Sequence, residues 1–347
     1  MLLLESSKTL MEFMHMKMDD IAQLANVSKS AVSIALNNRP GVSDETRQRI
    51  LKIVKEQNYS PQHRSHKAPA KSILHFITIS PKDHAQQATK LPFFASLIAE
   101  FSVITQRKNI GLQIDNLEPT QLTDRISTID EDAPGYFGTI VLATALNRKQ
   151  VESFTEALKR VLILDAPFKD LSVNAVSIDN YLGGYCAANE LLKRGYEDIG
   201  YVAAREPYPN YLERQQGFNA RLTEAQMKIH LKYQVGSMTM NQDNDMDTIF
   251  TKPLPRAFFC DNDYIAIRLM RLAQQKGLKI PQDLAIMGFD DIGEGRVTSP
   301  DLTTVHVPVT TIAKVAVSRL QEIKDNQLVD YHLKQYVQPQ VTIRHSI

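Results

Sequence analysis

From Ile73 onward the chain alternates short apolar runs with longer segments of helical periodicity, and this alternation restricts the fold more than any other feature of its 347 residues. The runs are "ILHFITIS", "GTIVLAT", "RVLILDA", "AVSIDN", "DIGYVAA", "RAFFCDN" and "LAIMGFDD". Between them lie segments such as "GGYCAANELLKRG" and "DYIAIRLMRLAQQKG", whose apolar residues return at helical spacing. Strands that alternate with helices form parallel sheets through right-handed crossovers, so the expected body is α/β. Open sheets of this kind bind ligands beyond the carboxyl ends of their strands.

The residues at those ends are polar. Asp165 closes one run, Asp179 and Asn180 another, Asn262 with Asp263 a third, and Asp290 with Asp291 a fourth. Arg214 lies in "NYLERQQGF", shortly after "GYVAAREPYP". Neither common glycine-rich phosphate loop is present, which argues against a nucleotide-hydrolysing site. An enzyme acting on a sugar or nucleoside could cast Asp165 and Asp290 as its acid and base, but no His, Ser or Cys stands beside them to complete a relay. The nine histidines show no metal spacing, and no cofactor is expected. Cys186 and Cys260 lack any paired spacing, so both are expected to pack as small buried hydrophobes in a reducing compartment.

The net charge of +1 conceals an asymmetry. From Lys17 to Ser72 ten Lys and Arg face five acids, leaving the remainder slightly acidic. A basic head on an acidic body suits a nucleic-acid-binding module joined to something else. The head reads as three short helices. Ile21, Leu24 and Ala25 make the apolar side of the first, with Asp19 and Asp20 in its opening turn. Asn26 ends it, since asparagine tolerates the left-handed conformation of a tight turn. Ser28 caps the second, whose apolar side is Ala31, Val32, Ala35 and Leu36; Ser43 caps the third, with Ile50, Ile53 and Val54 on one face. This is the pattern of an all-α helix-turn-helix, whose second helix enters the major groove. Lys29 and Ser30 would read bases, and Ser33 and Asn37 would reach bases or backbone.

At these residues the chain resembles the lactose/galactose repressor (LacI/GalR) family. "DIAQLANVSKSAVSIALNNRPGVSDETRQRILKIVKEQNYSP" is similar to its DNA-binding head, which ends on a Y-x-P pattern met here at Tyr59. Ala31 replaces the usual threonine, Asn26 a frequent glycine, and Ile34 a polar or basic residue, which puts more of the readout on Lys29 and Ser30. The resemblance continues through "LPFFASLIAEF", "VSIDNYLGGYCAANELLKRGYEDIGYV", "NYLERQQGF", "FFCDNDYIAI", "IMGFDDI" and "SPDLTTVHVP". It implies a body like periplasmic sugar-binding proteins, two α/β lobes with parallel sheets clasping a small molecule. Carried over by position, Asp165, Arg214, Asn262 and Asp290 would bind the effector, with Phe93 or Phe94 as one wall and Asn210 as a further contact. Because Phe93 and Phe94 are adjacent, at most one should face the cleft. Asp179, Asp263 and Asp291 are expected to stabilise loops and helix starts.

The resemblance therefore implies a cytoplasmic, nucleoid-associated homodimeric repressor of carbohydrate-utilisation genes. Its partners would be a pseudo-palindromic operator in double-stranded DNA and a small polar effector, a sugar or sugar derivative. A nucleoside or purine effector is the alternative within this class, and a stand-alone sugar-binding protein the alternative outside it. The expected organisation is a disordered leader over residues 1–16, a helix-turn-helix domain over 17–59, a linker over 60–72 and a two-lobed effector-binding and dimerisation domain over 73–347. The leader "MLLLESSKTLMEFMHMKM" lacks a basic start and a small-residue cleavage site and does not read as a signal peptide. The linker "YSPQHRSHKAPAKS" stands where the family places a hinge helix that wedges a leucine into the minor groove. Ala68 falls at the wedge position, so contact there would be electrostatic, through Arg64, Lys67 and Lys71, with Tyr59 a further DNA contact.

Overall fold

The computed structural model describes residues 18–36, 40–57, 72–79, 92–165, 168–205, 208–236, 246–325 and 331–347. The chain divides into two units, Met1–Pro69 and Ala70–Ile347. The leader, Asn37, Tyr59, Arg64 and Lys67 lie outside the described residues.

In the first unit, α1 (Met18–Leu24), α2 (Lys29–Leu36) and α3 (Asp44–Glu56) pack around Ile21, Ala22, Ala25, Val32, Ala35 and Ile50. The turn between α1 and α2 is made by Asn26 at φ 50°, the left-handed conformation that asparagine adopts at low cost. Ser28 Oγ accepts from the Ala31 N–H at 3.2 Å and Ser43 Oγ from the Thr46 N–H at 3.3 Å, so both second and third helices begin on a serine cap. Leu24 departs from the expected apolar face and is 54% exposed. At 3.6 residues per turn, Leu24 points roughly 100° away from the centre of the face that Ile21, Ala22 and Ala25 make.

In the second unit, β1 (Ile73–Ile79), β2 (Gly111–Leu117), β3 (Tyr136–Leu142), β4 (Val161–Leu164) and β5 (Ala175–Ile178) form the sheet of a first lobe. The chain then crosses into a second lobe through the helix Asn180–Lys193. Its sheet holds β6 (Ile199–Ala204), β7 (Lys232–Val235), β8 (Ala257–Cys260), β9 (Ala285–Asp290) and β10 (Thr303–His306). The helix Val309–Lys324 returns to pack on the first lobe, followed by β11 (Lys334–Val337), and a last crossing leads to β12 (Gln340–Thr342) in the second. The two six-stranded orders are β11-β5-β4-β3-β1-β2 and β12-β10-β9-β8-β6-β7. All pairings are parallel except β10 with β12, which is antiparallel because the chain enters β12 from the other lobe.

The apolar runs became strands buried along their whole length in β3, β4, β5, β6 and β8. Of the cysteines Cys260 is buried, as expected of a small hydrophobe, but Cys186 is only half-buried on the helix 180–193. That helix lies against the helix Pro209–Glu224 at backbone contact. A Cβ on Gly184 would fall onto the carbonyl oxygen of Arg214, and one on Gly217 onto that of Tyr181. Only glycine permits this approach. No helix among the described residues is long and apolar enough to cross a membrane.

Candidate functional site

The carboxyl ends of β4, β5, β8 and β9 deliver Asp165, Asn180, Asp261, Asn262 and Asp290, and Arg214 comes from the helix 209–224. Arg214 is 2% exposed and organises the group. Its Nε donates to Asn180 Oδ1 at 2.9 Å, its Nη1 to the Asp261 carbonyl at 2.5 Å, and its Nη2 lies 3.3 Å from Asp290 Oδ1. The guanidinium plane covers the Phe289 ring, 3.6 Å from its centroid. A buried arginine is tolerated only when paired and hydrogen-bonded, and each of these contacts meets that need.

Asp165 comes from the first lobe and accepts from Thr144 Oγ1 at 2.8 Å. Its backbone is left-handed at φ 57°, and that of Asp290 is further out at φ 111°. Such conformations cost about 1–3 kcal/mol and gather at functional sites. Burial raises the Asp165 pKa against the opposing pull of Thr144 and Arg214. Burial also pushes Asp290 up to about 7, with Arg214 opposing and the Asp165 charge adding. Beneath them Asp261, pushed up to about 6 by burial, takes hydrogen bonds from the Tyr201 hydroxyl and, at 2.6 Å, from the Ala204 N–H.

The remaining expected residues take distinct places. Asn262 caps the helix Asp263–Gln275 by accepting from the Ile265 N–H at 2.9 Å, while its amide donates to the Tyr211 hydroxyl at 3.1 Å. Asn210 is buried and its Oδ1 accepts from the Tyr211 N–H at 3.0 Å. Phe93 lines a small cavity in the first lobe with Leu97, Leu164, Asp165, Ser177 and Ile312. Phe94 meets Phe93 edge-on at 5.6 Å and does not line that cavity. Asp179 caps the helix 180–193 through the Leu182 N–H. Asp263 is fully buried between Thr304 Oγ1 and the Ile292 N–H. Asp291 holds Arg344, Arg296 and His306; burial works against it, yet these partners keep its pKa below the usual range.

Several residues that matter here were given no role from sequence, Asn180 among them although it was noted at a strand end. Asn180 and Asp261 each adjoin an expected residue, and only their side-chain or carbonyl direction shows that they hold Arg214. Among the described residues, the Tyr264 hydroxyl accepts from the Phe93 N–H at 3.1 Å and Lys169 Nζ lies 3.3 Å from Glu213 Oε1, each joining one lobe to the other. No local pattern marks pairs so far apart in the chain. Among the described residues no group of His, Cys, Asp and Glu could hold a metal ion.

In the head, Lys29 and Ser30 are exposed at the start of α2, with Ser30 Oγ 2.8 Å from Ser28 Oγ, and Ser33 is half-buried one turn on. Arg47 is directed inward, its Nη1 donating to the Ala35 carbonyl at 3.3 Å near the end of α2. Part of the basic excess of the head is therefore structural.

A helix-turn-helix unit followed by a two-lobed α/β unit with polar strand ends defines a ligand-responsive DNA-binding protein. Residues 17–62 match the bacterial regulatory proteins of the lacI family, and residues 188–347 a periplasmic binding protein-like domain. A ribose operon repressor of Haemophilus influenzae is 31% identical over 339 residues, covering 95% of this chain and 98% of the relative. The HTH-type transcriptional repressor PurR of Histophilus somni is 26% identical over 340 residues, covering 94% and 98%. A crystal structure of the Lac repressor bound to ONPG superposes with a TM-score of 0.70 at 20% identity, covering 96% of this chain and 99% of that one. The chain belongs to the LacI family of DNA-binding transcriptional regulators.

Proposed function

We propose that the chain is a homodimeric, cytoplasmic repressor that holds a pseudo-palindromic operator and answers to a small sugar or sugar derivative in the cleft between its lobes. The observation that carries the reading is Arg214, fixed by Asn180, Asp261 and Asp290 where the Asp165 charge reaches it from the other lobe. Arginine donates, aspartate accepts and the Phe93 wall is apolar, which together match the hydroxyls and the carbon face of a sugar ring. The full-length likeness to a ribose operon repressor supports the same ligand class. Likeness to PurR, over nearly as much of the chain, supports a purine as the second reading.

Asp165, Arg214, Asn262 and Asp290 form the proposed contact set, with Phe93 as the wall and Asn210 beside it. Lys29, Ser30, Ser33 and Asn37 are the proposed operator contacts, joined by Tyr59, Arg64 and Lys67. Effector and operator are coupled reciprocally, each weakening the other by the same factor. The test is a thermal-shift screen of sugars and nucleobases followed by mobility shift on genomic operator fragments. The ligand that raises the melting temperature should change operator affinity, and Arg214→Ala should abolish both effects. Retention of the ligand shift in Arg214→Ala places the binding site elsewhere.

A further inference from the structure

We infer that the cleft selects an uncharged, hydroxyl-rich ring and rejects the phosphorylated or carboxylated forms of the same sugar. The inference rests on the reading of the cleft as a sugar site and goes beyond it by fixing the ligand's charge.

The donor inventory of Arg214 comes first. A guanidinium has five N–H groups, and here Nε, Nη1 and Nη2 each already serve Asn180, Asp261 or Asp290, while one face lies on Phe289. An incoming phosphate or carboxylate seeks a bidentate grip on the guanidinium fork. An anion that took the two N–H groups left over would lie beside the buried Asp290 side chain, which pairs with the same guanidinium. A hydroxyl needs only one of the N–H groups left over.

The acceptors point the same way. Among the described residues, Asp165 Oδ1 and Asp290 Oδ2 have no partner, Thr144 and Arg214 having taken the other oxygen of each. Asp165 Oδ1 takes a donor when ionised, and so does Asp290, whose pKa burial raises to about 7. A sugar hydroxyl donates to a carboxylate and accepts from arginine at once, whereas a dianionic phosphate or a carboxylate donates nothing and adds like charge. Lys169, four residues beyond Asp165, is already paired with Glu213 on the other lobe.

Two helix N-termini at these strand ends, the other common anion receptors, are already capped. Asp179 occupies the start of the helix 180–193 and Asn262 the start of the helix 263–275. The helix 209–224 opens on Pro209, which has no N–H to give. On the first-lobe side Phe93, Leu97, Leu164 and Ile312 leave an apolar wall. The described lining is thus hydroxyl-pairing on one side and apolar on the other, with Arg214 committed beside Asp290 and Asp165.

The experiment is calorimetry of the full-length protein with matched pairs: ribose and ribose 5-phosphate, glucose and glucose 6-phosphate, galactose and galacturonate. Hypoxanthine and guanine complete the panel. In whichever pair binds, the neutral member should bind at least about thirtyfold tighter, within the range set by leaving one buried polar group unpaired. An anionic member that binds as tightly as its neutral partner overturns the inference while leaving the sugar reading intact. Binding of a purine alone, or of nothing in the panel, overturns the sugar reading itself. Asp165→Asn is the second probe, because asparagine keeps the left-handed backbone and should fold. Its neutral-to-anionic ratio should narrow at least about fivefold, since one like charge is gone. An unchanged ratio in a variant that melts like the parent removes Asp165 from the discrimination and sinks the charge argument.

Discussion

Asn180 Oδ1 accepts from Arg214 Nε at 2.9 Å, so a residue at the first crossing between the lobes holds the buried arginine of the second lobe. Asn180 is 1% exposed and its own amide donates to the Ile178 carbonyl at 3.3 Å, which fixes the direction of its oxygen. A hydrogen bond to a charged group is worth about 1.5–3 kcal/mol, and Asn180→Ala leaves a buried N–H unmatched. Effector affinity should therefore fall roughly ten- to a hundredfold, with operator affinity in the absence of effector preserved. Equal loss of both, measured by calorimetry and mobility shift, would show a folding defect instead of a positioning role.

The contact between Phe93 and Tyr264 is a hydrogen bond from a first-lobe backbone to a second-lobe side chain. Tyr264→Phe removes the acceptor and leaves the ring in place, at a cost of about 1 kcal/mol to the approximated lobes. The Phe93 amide should then exchange faster with solvent, and apparent effector affinity should fall about fivefold, without a change at Arg214. Hydrogen exchange at Phe93 that is identical in the two proteins would count against any contribution of this contact to closure.

Burial that raises Asp290 to about 7 makes stability depend on pH in a definite sense. Below its ordinary value near 3.8 the carboxyl is protonated in folded and unfolded chains alike. Between there and about 7 the unfolded chain releases its proton and the folded chain keeps it, so rising pH favours unfolding. The melting temperature of the parent relative to Asp290→Asn should fall from pH 4 toward pH 7.5, because asparagine cannot ionise. A difference that rises over that range would mean the ion pair with Arg214 outweighs desolvation.

The close approach of the helices 180–193 and 209–224 gives a prediction about stability. A methyl group at Gly184 meets the Arg214 carbonyl, an atom of the backbone that cannot swing away. Gly184→Ala should lower the melting temperature by about 5 °C or more, the scale of an overpacked core. Gly195→Ala meets no neighbour but must hold φ 80°, so its cost is confined to backbone strain. Similar melting curves for Gly184→Ala and the parent would contradict the packing.

In the head, Lys29→Ala should relax operator sequence preference, because Lys29 is exposed at the start of the helix proposed to read bases. Arg64→Ala combined with Lys67→Ala should instead weaken binding to all sequences alike and flatten its dependence on salt by about one to two in log–log slope. Mobility shifts across a salt series separate the two. A strong kink at the operator centre in a bending assay would argue for an intercalating linker, against the electrostatic contact that Ala68 implies.

How far the fold was legible depended on where each strand sits in its sheet. The strands that lie inside the sheets read as plain apolar runs, with one exception, β10, whose threonines disguise it though it is buried beside β9. The edge strands β2, β7, β11 and β12 carry Gln, Asp, Lys or Tyr on half-solvated backbone and give no such signal. At the site, strand ends exposed Asp165, Asn262 and Asp290 because polar residues after an apolar run stand out. Asn180 and Asp261 stand in the same positions, but what distinguishes them is the direction of an oxygen toward Arg214, which depends on packing across the chain. Leu24 shows the converse limit, since spacing named it as core while a short helix buries a narrower face.

Asp179 and Asn180 do two jobs within two residues. Asp179 anchors the start of the helix that carries the chain from one lobe into the other, and Asn180 mounts the arginine that faces the cleft. A load placed on Arg214 is thus borne by the connecting segment itself, without intermediate gearing through the sheets. In the proposed site, the segment that crosses between the lobes and the mount of Arg214 are the same piece of backbone, one side chain apart.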